Sequence, residues 1–219
     1  MPKIQLSMKH LSLLFLAILI LSSCSQTNEE KANSLIKDEM NKTLVKIKTY
    51  EPVETKIDRA FTPLDAPEFL NTLKEIVNEA QEAEVLSSEV EMAKTSMAIY
   101  GGPYSTEFSR NEYRKHKEEY ERYSAKLEEL KNRLKKKGES LVPLFKKEPS
   151  FIGYRVVHKF RYENEEGQTT FGNMLFILDQ NLKSILASYD MDSMEFQLME
   201  QSIKEMQEVA EAAAAEAEQ

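Results

Sequence analysis

Phe151-Ile152-Gly153-Tyr154-Arg155-Val156-Val157-His158-Lys159-Phe160-Arg161-Tyr162 decides the fold. Ile152, Tyr154, Val156, His158, Phe160 and Tyr162 fall on one side of a two-residue repeat, and Arg155, Lys159 and Arg161 on the other. That alternation predicts a strand with one packed and one wet face. Downstream, Glu165-Glu166-Gly167 turns the chain, a second strand spans Thr169 to Leu178, Asp179-Gln180-Asn181 turns again, and Ser184 to Tyr189 makes a third. Three strands joined by tight turns form an antiparallel meander. Far upstream, Tyr50-Glu51-Pro52 interrupts helical spacing, and Val53, Thr55, Ile57 and Phe61 alternate with Glu54, Lys56 and Asp58. This predicts a fourth strand over 53–61.

Between these strands the period changes. Asp65-Ala66-Pro67-Glu68 combines an acidic cap, a proline allowed in the first turn and a glutamate three residues after the cap, so a helix starts here. It runs to Tyr100 with Leu73, Ile76, Ala80, Ala83, Val90 and Met97 near heptad spacing and stops at Gly101-Gly102-Pro103. At 1.5 Å per residue it reaches roughly 50 Å. Ser109-x-x-Glu112 offers a second capping box, followed by Tyr113, His116, Tyr120, Tyr123, Leu127, Leu130 and Leu134 in alternating steps of three and four. Lys135-Lys136-Lys137-Gly138 closes that helix with cations at the negative dipole end and a glycine suited to the cap. Two such helices in sequence predict an antiparallel hairpin. An amphipathic first helix is marked by Leu35, Ile36, Met40, Leu44 and Ile47 and ends near Lys48. A last one, opened by Asp192 and Glu195, carries Phe196, Met199, Ile203, Met206 and Ala210 and frays after Val209.

The expected fold class is therefore α+β: a small antiparallel sheet with a packed N-terminal helix, a long inserted helical hairpin and a C-terminal helix. The expected divisions are a signal segment 1–23, a tether 24–31, a sheet module formed by 32–65 and 139–192, the hairpin 66–138, and a C-terminal helix over 193–219. In element order this resembles a cystatin-like or NTF2-like layout carrying an insertion.

The chain begins with Lys3 and Lys9 ahead of an apolar run from Leu11 to Leu21, the form of an export signal. Leu21-Ser22-Ser23-Cys24 resembles the lipobox of bacterial lipoproteins. The resemblance implies cleavage before Cys24 and acylation of its sulfur and amino group, which makes Cys24 the lipid attachment site and the membrane the first partner. Several acyl chains hold far more firmly than one, at about 0.8 kcal/mol per buried methylene. Ser25 is not the aspartate that retains many such proteins at an inner membrane, so the expected location is the outer membrane, its periplasmic or surface face undecided. Glu29-Glu30 is similar to the acidic signals that accompany surface display in some Bacteroidota. Tyr50–Phe61, Phe151–Tyr154 and Leu178–Ile185 also resemble segments of uncharacterised Bacteroidota lipoproteins, a likeness that brings no activity with it.

The 219 residues carry 29 Lys+Arg against 37 Asp+Glu, for a net charge of −8. Without residues 1–23, which hold two lysines and no acid, the balance is 27 against 37. An acidic chain lacks the basic field that phosphate contact needs, which sets nucleic acid aside as a partner. With 41% hydrophobic and 30% charged residues, neither a polytopic membrane protein nor a fully disordered chain fits. The lone cysteine excludes a disulfide framework, a multi-cysteine metal site and, once lipidated, a thiol nucleophile. No glycine-rich phosphate loop, His-Glu-x-x-His pair or calcium loop occurs, so neither metal nor cofactor is expected.

Beyond the signal segment only His116 and His158 remain. His116 reads as a polar register device within the hairpin seam, or as a pH-sensitive contact. His158 shares a strand face with Tyr154 and suggests a ligand pocket or acid–base site should Asp58, Asp190 or Asp192 approach it. The Arg155, Lys159 and Arg161 row reads as an anion or headgroup site, or as an ordinary solvated face. Tyr100, Tyr104, Phe108 and Tyr113 gather around the hairpin turn, where aromatic side chains serve as partner contacts or cap the hairpin. The function expected from these readings is a non-catalytic binding or structural module of the cell envelope with a protein partner. The alternative is a small-ligand-binding protein or enzyme with a pocket between the first helix and the sheet.

Overall fold

The computed structural model describes residues 26–43, 49–102 and 106–217. The signal segment, Cys24, Leu44, Ile47, Pro103 and Tyr104 lie outside the described residues. In chain order the elements are α1 (Asn28–Thr43), β1 (Glu51–Phe61), α2 (Pro67–Tyr100), α3 (Glu107–Leu141), a short 3-10 turn (Val142–Lys146), β2 (Phe151–Glu163), β3 (Thr169–Asp179), β4 (Ile185–Asp190) and α4 (Met194–Ala217). The four strands form one antiparallel sheet in the order β1-β2-β3-β4. The fold is α+β, with the α2–α3 hairpin inserted between the paired strands β1 and β2.

Thr27 and Glu30 set the start of α1. The Glu30 amide donates to Thr27 Oγ1 at 3.2 Å and the Thr27 amide to a Glu30 carboxylate oxygen at 2.7 Å, a reciprocal capping box. Helix therefore begins at Asn28, within the stretch expected as tether. Ala32, Ile36 and Met40, one turn apart, press onto Val156, Phe160, Phe176, Leu178 and Leu182. This is the core of one sheet face. The opposite face of the sheet holds the other core: Leu175, Ile177 and Tyr189 pack under Phe69, Leu70, Leu73 and Val77 of α2, Leu141 of α3, and Phe196 and Met199 of α4.

The expectation of a wet second face is thus corrected. Only its β1–β2 portion, with Lys56, Lys159 and Arg161, stays open to solvent; Val157 packs against the second core. Two glycines fit strands to their neighbours. Gly153 has φ +149°, and a Cβ there would sit 1.9 Å from the Leu178 carbonyl oxygen, so only glycine is accommodated. Opposite Phe160, Gly172 leaves the room that the ring occupies.

Helix ends differ from the sequence reading for identifiable reasons. Asp65 does not cap α2; its carboxylate accepts from the Phe61 amide and from Arg155, and Ala66 occupies the cap position with no side-chain bond. α3 starts at Glu107 under a Thr106 cap, not at a Ser109 box. It also runs through Gly138 to Leu141, because Leu141 is buried in the core and rewards another turn of helix. α4 is capped by Ser193, whose Oγ accepts from the Phe196 amide, rather than by Asp192. It continues past Val209 to Ala217, over a run of alanine, the strongest helix former.

β1 begins at Glu51, and bulges at Pro52/Glu54 and Ala60/Phe61 shift its register. Val53, expected on the packed face, is 59% exposed, while Ala60 is buried. The α2–α3 seam is Leu86, Val90, Ala93 and Met97 against Tyr113, His116, Tyr120, Tyr123, Leu127, Leu130 and Leu134; Ala80 points outward. At its base Glu79 accepts from Arg133 at 3.3 Å and from Lys137 at 3.2 Å, and Lys137 also reaches Glu75 at 2.6 Å. Those carboxylates raise the Lys137 ammonium pKa. The lower part of the expected insert, Phe69–Val77, belongs to the body's core, together with Leu141 of the expected sheet module.

Candidate functional site

His158 lies under β1 and is 1% exposed. Thr55 Oγ1 donates its proton to Asn33 Oδ1 at 3.0 Å, so its 2.9 Å contact with His158 Nδ1 is made by an Nδ1–H donor. Nε2 is left as an acceptor and receives the Tyr50 hydroxyl at 2.6 Å. The ring is neutral, with both nitrogens committed. Phe160 stacks on it at 5.7 Å between centroids and Phe176 meets it edge-on. Burial pushes its pKa down to about 4 and also raises that of Tyr50. Asp58, Asp190 and Asp192 are not its partners. His158 is therefore a strut that ties the approach to β1, β1 itself and α1 to the sheet, and it is not poised as a base near neutral pH.

Tyr154 is not brought to the same place. Four residues along β2 put it about 13 Å away, where its hydroxyl accepts from Asn28 Nδ2 at 3.1 Å and its ring meets Phe151 edge-on. The space between α1 and the sheet, expected as a pocket, is filled by the first core. A surface depression of about 300 Å³ bounded by Asn33, Lys37, Tyr50, Pro52 and Thr55 lies above His158 but does not expose its ring.

The cationic row on β2 is neutralised residue by residue. Arg155 pairs with Asp65 at 3.2 Å, Lys159 with Glu54 at 3.3 Å, and Arg161 Nε with Glu51 at 2.6 Å. Lys56 and Lys159 lower the Glu54 carboxyl pKa. Each cation has a β1 or β1–α2 carboxylate as its ligand, which leaves no cluster of unpaired charge for an anion on this row.

Of the aromatic residues expected at the hairpin turn, Tyr100, Phe108 and Tyr113 gather there with His116, while Tyr104 lies outside the described residues. Tyr100 meets Phe108 edge-on at 6.2 Å and stacks on His116 at 5.8 Å, the planes 10° apart. The Tyr113 ring covers Gly101, where a Cβ would approach it to 3.1 Å. His116 sits between two acids of its own helix, Nδ1 at 2.8 Å from Glu119 and Nε2 at 3.8 Å from Glu112. Tyr100, Tyr113 and His116 are half-buried in this cap, whereas Phe108 is 65% exposed.

One feature escaped the sequence reading. An apolar groove of about 460 Å³ runs between α2, the end of α3 and α4, lined by Leu73, Ile76, Leu141, Val142, Phe145 and Met206. Gly138 lies on its wall, where a side chain would meet open space. Its one local signal in the sequence is Gly138, a glycine less than one turn before the buried Leu141. Among the described residues no helix is long and apolar enough to cross a membrane, and no group of three or more His, Cys, Asp and Glu side chains is placed to hold a metal ion. Comparison of the chain with protein-family models, with curated proteins and with solved structures gave no match.

Proposed function

We propose that this protein is a lipid-anchored, non-catalytic binding or structural module of the bacterial cell envelope. It is held at the outer membrane through Cys24 and reaches a protein partner with the α2–α3 hairpin. The supporting observation is the hairpin's position relative to the core. Among the described residues, none after Val77 on α2 or before Leu141 on α3 joins the core beneath it. Val77 to Tyr100 at 1.5 Å per residue is about 35 Å of paired helix extending past the body, ending in the Tyr100, Phe108, Tyr113 and His116 cap. A domain that ordered so much helix only for its own stability would gain little buried surface for the conformational entropy lost. The test is to remove residues 87–125 and join Leu86 to Lys126 through a short glycine turn, at a level matching the Glu79–Arg133 pairing. The shortened protein should keep a cooperative melt and lose its cross-linked envelope partners; retained partners would overturn the reading. Lipidation is checked by palmitate labelling, which Cys24→Ala should abolish, and protease shaving of intact cells decides the face.

The apolar groove favours a second reading, a carrier of small apolar molecules. Its lining offers almost no polar group to orient a polar ligand. Gly138→Leu should fill it without disturbing the helix, and should displace a bound fatty acid or dye if this reading holds.

A further inference from the structure

One strip of α2 passes from covered to open where α4 begins. At its lower end α4 closes over Leu70 and Val77, and Glu195 in the first turn of α4 bonds Lys74 and Asn78, each at 2.8 Å. The same strip continues along α2 as Gln81, Val85, Ser88, Met92, Thr95 and Ile99, in steps of four, three, four, three and four. That is coiled-coil seam spacing, on the side of α2 turned away from the Leu86, Val90, Ala93 and Met97 seam. Val85 is 63% exposed, Met92 55% and Ile99 70%. Thr95 donates its hydroxyl to the Glu91 carbonyl at 2.8 Å, which satisfies the hydroxyl within its own helix. Met194, 71% exposed, extends the patch beside the start of α4.

None of the six strip residues is charged, and carboxylates flank both edges: Glu84 and Glu91 on one, Glu82 and Glu89 on the other. Among the described residues Glu82, Glu84 and Glu89 make no ion pair, and Glu91 reaches only an exposed Lys94 at 3.5 Å.

We propose that this strip is the docking surface for one amphipathic helix of a partner protein. That helix bears Lys or Arg on both sides of its apolar seam and lies end to end with α4 along α2. The inference rests on the binding-module reading and assigns its contact to the side of the hairpin. Continuity with the α4 packing face sets where the helix lies; the acidic edges set its charge. A second copy of this strip would set glutamate against glutamate, and an anionic membrane surface would meet the same repulsion.

The probe is a labelled 21-residue synthetic helix with Leu and Ile at seam positions and Lys at the flanking ones. Its controls are the same helix with Glu at the flanks and a scrambled Lys peptide of identical composition. Binding to the full-length protein is followed by fluorescence anisotropy. Expected is saturable binding of the Lys helix, at least tenfold tighter than either control, weakened by added salt and reduced at least tenfold by the double substitution Val85→Glu, Ile99→Glu. Because both side chains are exposed, the melting curve of that variant should match the parent. Equal binding of the scrambled peptide, indifference to the double substitution, or no binding of the Lys helix would each overturn the proposal. In cells, envelope partners lost on trimming the hairpin but kept by Val85→Glu, Ile99→Glu would refute this strip and leave the module reading standing. Partners kept by both variants would refute the reading itself.

Discussion

Acid should loosen this fold through His158 well before its carboxylates protonate. The ring is neutral in the native state with a pKa of about 4, whereas in the unfolded chain it titrates near 6.5. A folded pKa below the unfolded one means the unfolded chain binds more protons between those values. The contribution is therefore fully present above pH 6.5 and is lost as pH falls toward 4. With 1.36 kcal/mol per pKa unit, the loss is about 2 kcal/mol at pH 5 and about 3 kcal/mol at pH 4, a sizeable share of a typical stability of 5–15 kcal/mol. The comparison variant is His158→Gln, whose amide can still donate toward Thr55 or accept from Tyr50 but does not titrate. At pH 7 it should cost about 1–2 kcal/mol, because its geometry serves both partners less well. Urea unfolding followed by circular dichroism at pH 7, 6 and 5 stays above the carboxylate range. Over that window the parent should lose about 2 kcal/mol relative to His158→Gln, so its advantage at pH 7 vanishes or reverses by pH 5. Parallel pH dependences would refute the neutral-strut account of His158.

Four further outcomes follow from the packing. Gly153→Ala should cost 3 kcal/mol or more and abolish soluble expression, since its Cβ would sit 1.9 Å from the Leu178 carbonyl oxygen; a normal melt would contradict this. At the β3–β4 turn burial raises the Asp179 pKa, but bonds from the Ser184, Lys183 and Asn181 amides outweigh it and lower the pKa overall. That stabilisation is present above the unfolded carboxyl pKa and is lost on acidifying below it. Asp179→Ala should destabilise by about 1 kcal/mol at pH 7, held low by solvent screening, and chemical denaturation checks the figure. Glu79→Gln should weaken the hairpin base by about 1 kcal/mol, seen as faster amide exchange in residues 124–137. Tyr50→Phe, which strips Nε2 of its donor, should cost about 1 kcal/mol at pH 7, measured by urea unfolding.

The sheet and hairpin were legible because their signals are local. β2 alternates over six turns of the pleat, and α3 repeats its apolar residues in three-four steps for more than twenty residues. The coverage of the second sheet face was legible too, although it lay in another strand: Leu175-Phe176-Ile177-Leu178 is an unbroken buried run, the mark of a strand packed on both sides. The Arg155, Lys159 and Arg161 row on β2 carries the opposite signal, that of a solvated face. Caps were less legible because several residues compete for one role; Asp65 serves Phe61 and Arg155, which only the tertiary fold supplies. The same holds for the candidate site. Position 158 marked itself as unusual from the strand pattern alone, but its partners Tyr50 and Thr55 come from more than a hundred residues earlier. No spacing rule carries that pairing.

The insertion of the hairpin between β1 and β2 has a consequence for how the chain finds its structure. Phe61 pairs with Phe151, a closure that would be slow for an unstructured loop of such length. Only six residues separate the end of α2 from the start of α3, so their contacts are local at the tip and should propagate downward as a zipper, delivering the two strand ends to each other as they close. Helix pairing of this sort is quick beside long-range strand pairing, so β1 is expected among the last strands to dock. The β2–β3–β4 meander and the hairpin are therefore expected to mature independently and to meet at the Phe69 and Leu141 layer. The span of the hairpin above Val77 becomes a length that whole heptads can be added to or taken from, leaving the meeting layer, and hence the sheet, unchanged.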